Sequence, residues 1–286
     1  MASKKQEAVA ESAAQQIQTV QNAPAAGAID VYGAYGTKTG FENVTSADLK
    51  TPFLKQLQPL SPQVTDGLPG ATPGAFYNSS TEEVIGMTEG FVFIPLGKKH
   101  HFVEWRPRES GGGFVASHAP GSPVVLGAQP HPDPKKKHKV LPAADGNGFN
   151  DLIESHDVFL MLLDKTGTHP TGETAIFSFT STKIKVVRDL WNKMYTMKPR
   201  ARLFAVRAKL TGFKDPRQNK GAFWNVKITP HPVEGDWKAS LVDPVQEKEL
   251  LDTAFALFEM YEGGGVKPDY EKVDSTEAAG ESDVPF

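Results

Sequence analysis

Short runs of β-formers divided by turn residues, with one strongly periodic helix late in the chain and another near its end, predict a mainly-β barrel elaborated with helices. Three observations carry this expectation. Residues 91–96, 158–163 and 175–179 are apolar runs of strand length; 204–211 and 223–228 alternate apolar with basic or polar side chains; and 184–194 switches to helical spacing. With 286 residues and 39% hydrophobic content, one large domain with two tails is the simplest division. The expected boundaries are a disordered segment 1–28, a domain 29–262 carrying a loop insertion at 107–150, and an acidic disordered tail 263–286.

Residues 1–28 are dominated by Ala, Gln, Ser and charge, which cannot bury enough apolar surface to fold alone. From Phe41 the chain becomes core-like, and Phe53, Leu54, Leu57 and Leu60 read as a helical or turn segment ending near Pro59 and Pro62. A Gly/Pro loop at 67–74 precedes the first strand, 91–96. In 101–106, Val103 and Trp105 fall on one face and Phe102, Glu104 and Arg106 on the other. The Gly/Pro-rich insertion 107–150 contains Lys135-Lys136-Lys137-His138-Lys139 and reads as a long mobile or functional loop. Strands 158–163 and 175–179 follow. Behind Thr180-Ser181-Thr182 as a cap region, Ile184, Val187, Trp191 and Met194 form a helical stripe, with Lys185 and Arg188 on another face.

The clearest hairpin spans 203–229. Phe204, Val206, Ala208 and Leu210 alternate with Arg207, Lys209 and Thr211, while Trp224, Val226 and Ile228 alternate with Phe223, Asn225 and Lys227. Pairing them should merge the polar faces into a surface bearing Arg207, Lys209, Lys227 and the exposed ring of Phe223, with Trp224 in the core. A final helix is expected behind Asp243 as N-cap and Pro244, with Gln246 closing a capping box and Leu250, Ala254, Leu257, Phe258 and Tyr261 buried. Gly263 to Gly265 should stop it. Short strands around one helix, displaying a ring among cations, fit an OB-fold-like Greek-key barrel, a common platform for single-stranded nucleic acid.

Charge is unevenly distributed. The formal net charge of −3 divides into −5 for 262–286, zero for the first 28 residues and +2 for the remainder. Between Lys183 and Lys209 there are nine Lys or Arg residues, opposed only by Asp189. The candidate nucleic-acid ligands form three groups. Lys98, Lys99, His100, Phe102, Arg106 and Arg108 surround a strand; Lys183, Lys185, Arg188 and Lys193 decorate the helix; Arg200, Arg202, Arg207, Lys209, Lys220, Phe223 and Lys227 mark the hairpin. Cations would track phosphates, and the rings of Phe102 and Phe223 would stack on bases.

Other chemistries find weaker support. Asp164-Lys165-Thr166-Gly167-Thr168 resembles the phosphorylated-aspartate motif of P-type ATPases, but the accompanying Gly-Asp element precedes it rather than follows, and Asp-Lys-Thr-Gly is good turn chemistry. His131, Asp133 and His138 lie close together in a Lys-rich loop that opposes a metal ion. No metal, cofactor or catalytic role is therefore expected. The absence of cysteine excludes disulfides and thiolate metal sites. No apolar stretch approaches the ~20 residues of a membrane span, so a cytoplasmic location is expected.

The terminal Asp283-Val284-Pro285-Phe286 resembles the Asp-Ile-Pro-Phe tip of bacterial single-stranded DNA-binding proteins. The body is similar to phage-encoded single-stranded DNA-binding proteins in Gly74-Ala75-Phe76-Tyr77-Asn78, Phe102-Val103-Glu104-Trp105, Ser181-Thr182-Lys183 and Lys220-Gly221-Ala222-Phe223-Trp224. The resemblance implies an OB-fold that coats single-stranded DNA in replication, recombination or repair within an infected bacterial host. It also implies that Asp283, Val284, Pro285 and Phe286 dock partner replication or recombination enzymes. A phage virion or scaffold protein is the alternative from another class, and a phosphotransferase built on Asp164 a further one. Oligomeric state is left open.

Overall fold

The computed structural model describes residues 50–270, apart from 145, 147, 199 and 217–222. The segments expected to be disordered at 1–28 and beyond residue 270 lie outside the described residues, as does Lys220. The chain begins with β1 (Lys50–Thr51), β2 (Phe53–Gln56), α1 (Pro62–Thr65), β3 (Phe76–Asn78) and β4 (Glu83–Gly86). It continues through β5 (Phe91–Trp105), β6 (Phe114–His118), α2 (Pro123–Gly127), β7 (Gln129–Pro130), β8 (Lys139–Pro142) and β9 (Phe149–Leu163). The last elements are β10 (Pro170–Thr180), α3 (Lys183–Thr196), β11 (Ala208–Lys214), β12 (Trp224–Pro230), α4 (Lys248–Glu262) and β13 (Lys267–Pro268).

The fold is mainly β, as its sequence predicts. Its spine is the antiparallel pair of β5 and β9, in register from Val92 opposite Leu163 to Trp105 opposite Asp151. Each strand has 15 residues, long enough to take different partners at its two ends. β5 pairs with β11 at Phe91–Phe93 and with β6 at Phe102–Trp105; β9 pairs with β10 along Ser155–Leu163 and with β8 at Phe149–Leu152. A register shift between Pro95 and Gly97 bends β5, and a proline is tolerated there because the ladder is already interrupted. Gly97 also admits Tyr261 of α4: a Cβ at this position would stand 2.2 Å from the ring.

The main path of the sheet runs β12-β11-β5-β9-β10-β2-β3-β4 and curls until β12 approaches β2. Side-chain amides bridge the approach. Gln58 Nε2 donates to the Trp224 carbonyl and its Oε1 accepts the Trp224 N–H, both at 3.0 Å, while Gln56 Nε2 donates to the Asn225 carbonyl at 2.9 Å. These amides satisfy edge groups of β12 that an eight-strand curl would otherwise leave open. Gly74, at φ +90°, makes the approach possible, since a Cβ there would lie 2.2 Å from the Trp224 ring.

Alternation along the strands separates two cores. Inward-facing Leu54, Phe76, Phe93, Leu160, Phe177, Leu210 and Val226 fill the curl, and Val187 of α3 packs on them. Outward-facing Phe53, Ile94, Phe159, Met161 and Ile176 lie beneath Leu250, Ala254 and Leu257 of α4. Each fully buried side chain of this size contributes about 1.5–3 kcal/mol from apolar surface removed from water.

Several expectations are corrected. The segment at 53–56 is a strand, not a helix or turn, because Phe53 and Leu54 bury opposite faces into the two cores. Phe204 does not begin a strand but sits in a 3-10 turn at Leu203–Ala205. The final helix starts at Lys248; Asp243 caps the turn before it, and Glu247 rather than Gln246 closes the reciprocal bond by accepting the Asp243 N–H at 2.9 Å. Residues 263–270, expected within the tail, return to the body: β13 pairs in parallel with β1, and Tyr270 stacks on Phe114 at 4.5 Å. The insertion 107–150 is folded rather than a bare loop. β6 and β8 extend the spine, over small cores at Val103, Trp105 and Ile153 and at Val125, Leu141 and Leu152.

Candidate nucleic-acid interface

Where the far half of β9 passes α3 and the folded insertion, a groove of about 780 Å³ opens. Its walls bring together Phe102 from the spine, Lys137 and Lys139 from the insertion, and Lys185, Arg188 and Asn192 from α3. α3 supplies its cations because Ile184, Val187, Leu190 and Met194 are drawn inward, which turns Lys185 and Arg188 outward. Glu154 sits among them and accepts from Arg188 at 2.9 Å. The same Glu154 oxygen lies 3.1 Å from His100 and 3.3 Å from His156, whose rings stack at 4.2 Å. Burial, with repulsion from His100 and Arg188, outweighs Glu154 and keeps His156 below the ordinary histidine value.

The three predicted groups fare differently. Lys98 and Lys99 are exposed on β5, with the Lys98 ammonium 5.6 Å from the Trp191 ring. Arg106 and Lys193 are exposed but do not line the groove, and the side chain of Arg108 lies outside the described residues. Lys183 is buried, its ammonium 6.0 Å from the Phe177 ring, and so is not the surface cation its sequence position suggests.

The hairpin surface is not assembled as expected. Arg207 is buried, pairs with Glu247 at 2.6 Å and donates to the carbonyls of Gly167 and Leu241, so it is a structural cation. Phe223 is buried rather than exposed, and Trp224 is only half-buried where it lies over Gly74 at the curl's closure, although Val226 and Ile228 keep the predicted core-facing side. Lys227 pairs with Glu234 at 2.6 Å. Lys209 faces a separate hollow beside Glu82, Glu83 and Glu89. Arg200 stacks over exposed Tyr195 at 4.0 Å, and Arg202 is exposed.

The insertion's contribution to the groove was missed, although its signal was present in the run Lys135–Lys139. His138 Nε2 lies 2.8 Å from Asp151 Oδ1 and His131 Nε2 3.8 Å from the same atom, which anchors the insertion to β9. These three groups are close enough to hold a metal ion. However, His131 Nδ1 accepts the Asp133 N–H at 2.8 Å, so its proton belongs on Nε2, the atom that a metal would need. The arrangement suits a hydrogen-bonded clasp. Burial, assisted by the charges of His138 and Lys136, keeps His131 below its ordinary value.

Asp164 is engaged by its own turn. It accepts from Thr166 Oγ1 and from the N–H groups of Thr168 and His169, which outweigh burial and hold its carboxyl below the usual range. A second polar cluster escaped sequence reasoning because its members are far apart in the chain. Buried His101 lies 2.9 Å from Asp157 and 2.6 Å from Ser117 Oγ, while Ser155, Ser178 and Tyr270 donate to Asp157. Burial pushes Asp157 up, but His101 and the two serines prevail and keep it low.

Fold and groove together define a curled-sheet β protein with a cation-lined cleft. The chain belongs to the family described as Pam3 phage gp34-like protein, which matches residues 19–267. No curated protein and no solved structure matches it. Among the described residues no helix is long and apolar enough to cross a membrane.

Proposed function

We propose that this phage protein binds single-stranded nucleic acid, with single-stranded DNA in replication, recombination or repair as its substrate. The observation that carries the reading is the convergence of Phe102, Lys137, Lys139, Lys185 and Arg188, from three separate parts of the chain, on one open groove. A ring among cations is what a strand of unpaired bases and phosphates requires, and the curled sheet is compatible with an OB-fold-like platform. The host-cell setting follows from the phage family. The acidic segment ending Asp283-Val284-Pro285-Phe286 would recruit replication or recombination enzymes.

Gel shifts of the full chain with matched single- and double-stranded oligonucleotides test this. The expected result is preference for the single strand and affinity that falls linearly with salt on logarithmic axes, at ~0.7 per phosphate contacted. A virion or scaffold component would show neither, and a phosphotransferase would depend on Asp164 for activity.

A further inference from the structure

On the spine, His100 of β5 lies directly opposite His156 of β9, and two residues further along Phe102 lies opposite Glu154. Side chains alternate between the faces of a strand, so His100, Phe102, Glu154 and His156 stand together on one face. The two histidine rings stack at 4.2 Å, and their Nε2 atoms converge on one Glu154 oxygen, at 3.1 Å from His100 and 3.3 Å from His156. All three ligand-type atoms lie within 4.8 Å of one another. At metal–ligand lengths of about 2.0–2.1 Å, the atoms around a tetrahedral ion stand roughly 3.3 Å apart. The two separations to Glu154 already match that spacing, and the exposed His100 has room to turn its ring.

We infer that His100, His156 and Glu154 form a site for one divalent ion of the zinc class. Two imidazoles with a single carboxylate suit zinc and its transition-metal neighbours, whereas magnesium and calcium call for more oxygen ligands. In contrast to His131, neither His100 nor His156 accepts a hydrogen bond at Nδ1 among the described residues, so each ring proton can sit there and leave the Nε2 lone pair to the ion. Arg188 donates to the same Glu154 oxygen at 2.9 Å, but its side chain is 55% exposed and a surface pair of this kind is weak, so a divalent ion displaces it. Glu154 also lines the groove, which puts the ion at the groove wall. Three protein ligands leave a fourth position, for water or for an oxyanion in the groove. Ligands drawn from two strands make no local motif, so sequence spacing does not reveal the site.

The test is equilibrium dialysis of the full chain, stripped with a chelator, against Zn2+ in the presence of excess Mg2+. The native chain should hold one zinc ion. His100→Gln and His156→Gln should each weaken zinc binding by more than the roughly tenfold that loss of a partner outside the ligand set costs. His100 is exposed, so its variant should keep the native circular dichroism spectrum even if His156→Gln does not. Arg188→Ala should tighten binding, because it removes the guanidinium that competes for Glu154. His131→Gln, altered in the other histidine cluster, should bind zinc as the native chain does. Co2+ as a coloured substitute should give a visible absorption band in the native chain and His131→Gln that is missing in His100→Gln. Zinc held by His100→Gln at native affinity, zinc lost through His131→Gln instead, or no zinc retained by the native chain overturns the inference. Each measurement is made without nucleic acid, so a failure of oligo(dT) to bind would defeat the proposed function and leave this site to be decided by the dialysis.

Discussion

Arg188 and Arg207 show how position separates two cations of the same type. Arg188 stands on the exposed face of α3 at the groove, whereas Arg207 is enclosed by Glu247 and two carbonyls. Arg188→Ala should leave folding nearly unchanged but weaken single-stranded DNA binding and reduce its logarithmic salt slope by ~0.7. Arg207→Ala should cost about 3–5 kcal/mol of stability, because it strands a partly buried carboxylate. Urea melts and salt-dependent binding would distinguish these effects. The aromatic residues divide similarly. Phe102→Ala should weaken binding by ~1–3 kcal/mol, whereas Phe223→Ala should destabilise the fold by ~3–5 kcal/mol with no specific effect on the groove.

At the scale of elements, the helices and long strands are legible because one periodicity dominates each: Ile184, Val187 and Met194 mark α3, and alternation through Ala208, Leu210, Val226 and Ile228 marks β11 and β12. β2 is not legible, since Leu54, Leu57 and Leu60 mimic helical spacing while burial on both faces requires a strand. The partial exposure of Trp224 is decided by Gly74, 150 residues away in sequence, which it covers at the curl's closure. The insertion was obscured because its order comes from pairing with distant strand ends and from the clasp of His131, His138 and Asp151. That clasp should respond to acid. With the folded His131 value below 6.5, the unfolded segment takes up a proton more readily, so stability is complete above about that pH and is lost as pH falls through it. Burial disfavours the charged ring and His138 and Lys136 repel it, while Asp151 and the Asp133 backbone contact act in the opposite direction and are outweighed. Hydrogen exchange corrected for intrinsic rates should show 131–140 loosening between about pH 7.5 and 5.5; constant protection across that range would mean that the clasp does not titrate.

For the whole molecule, the decisive relation is between a cationic groove and the acidic sequence that follows Tyr270. Residues 271–286 carry five carboxylates against Lys272 alone. They follow Tyr270 in the sequence, and Tyr270 is held by stacking on Phe114 and by its hydrogen bond to Asp157. Sixteen residues behaving as an unfolded chain would span on the order of 20 Å, which is enough to bring these carboxylates to the groove's cations at high effective concentration. On the proposed function they would compete with phosphate for the same charges. Removing 271–286 should therefore tighten single-stranded DNA binding several-fold at low salt, with the advantage shrinking as screening rises. Removing Phe286 alone should leave DNA affinity unchanged, because it removes no side-chain charge, but should abolish capture of a replication or recombination enzyme in a pull-down. Tightening that persists undiminished at high salt would show that the segment acts by blocking the groove sterically rather than by charge.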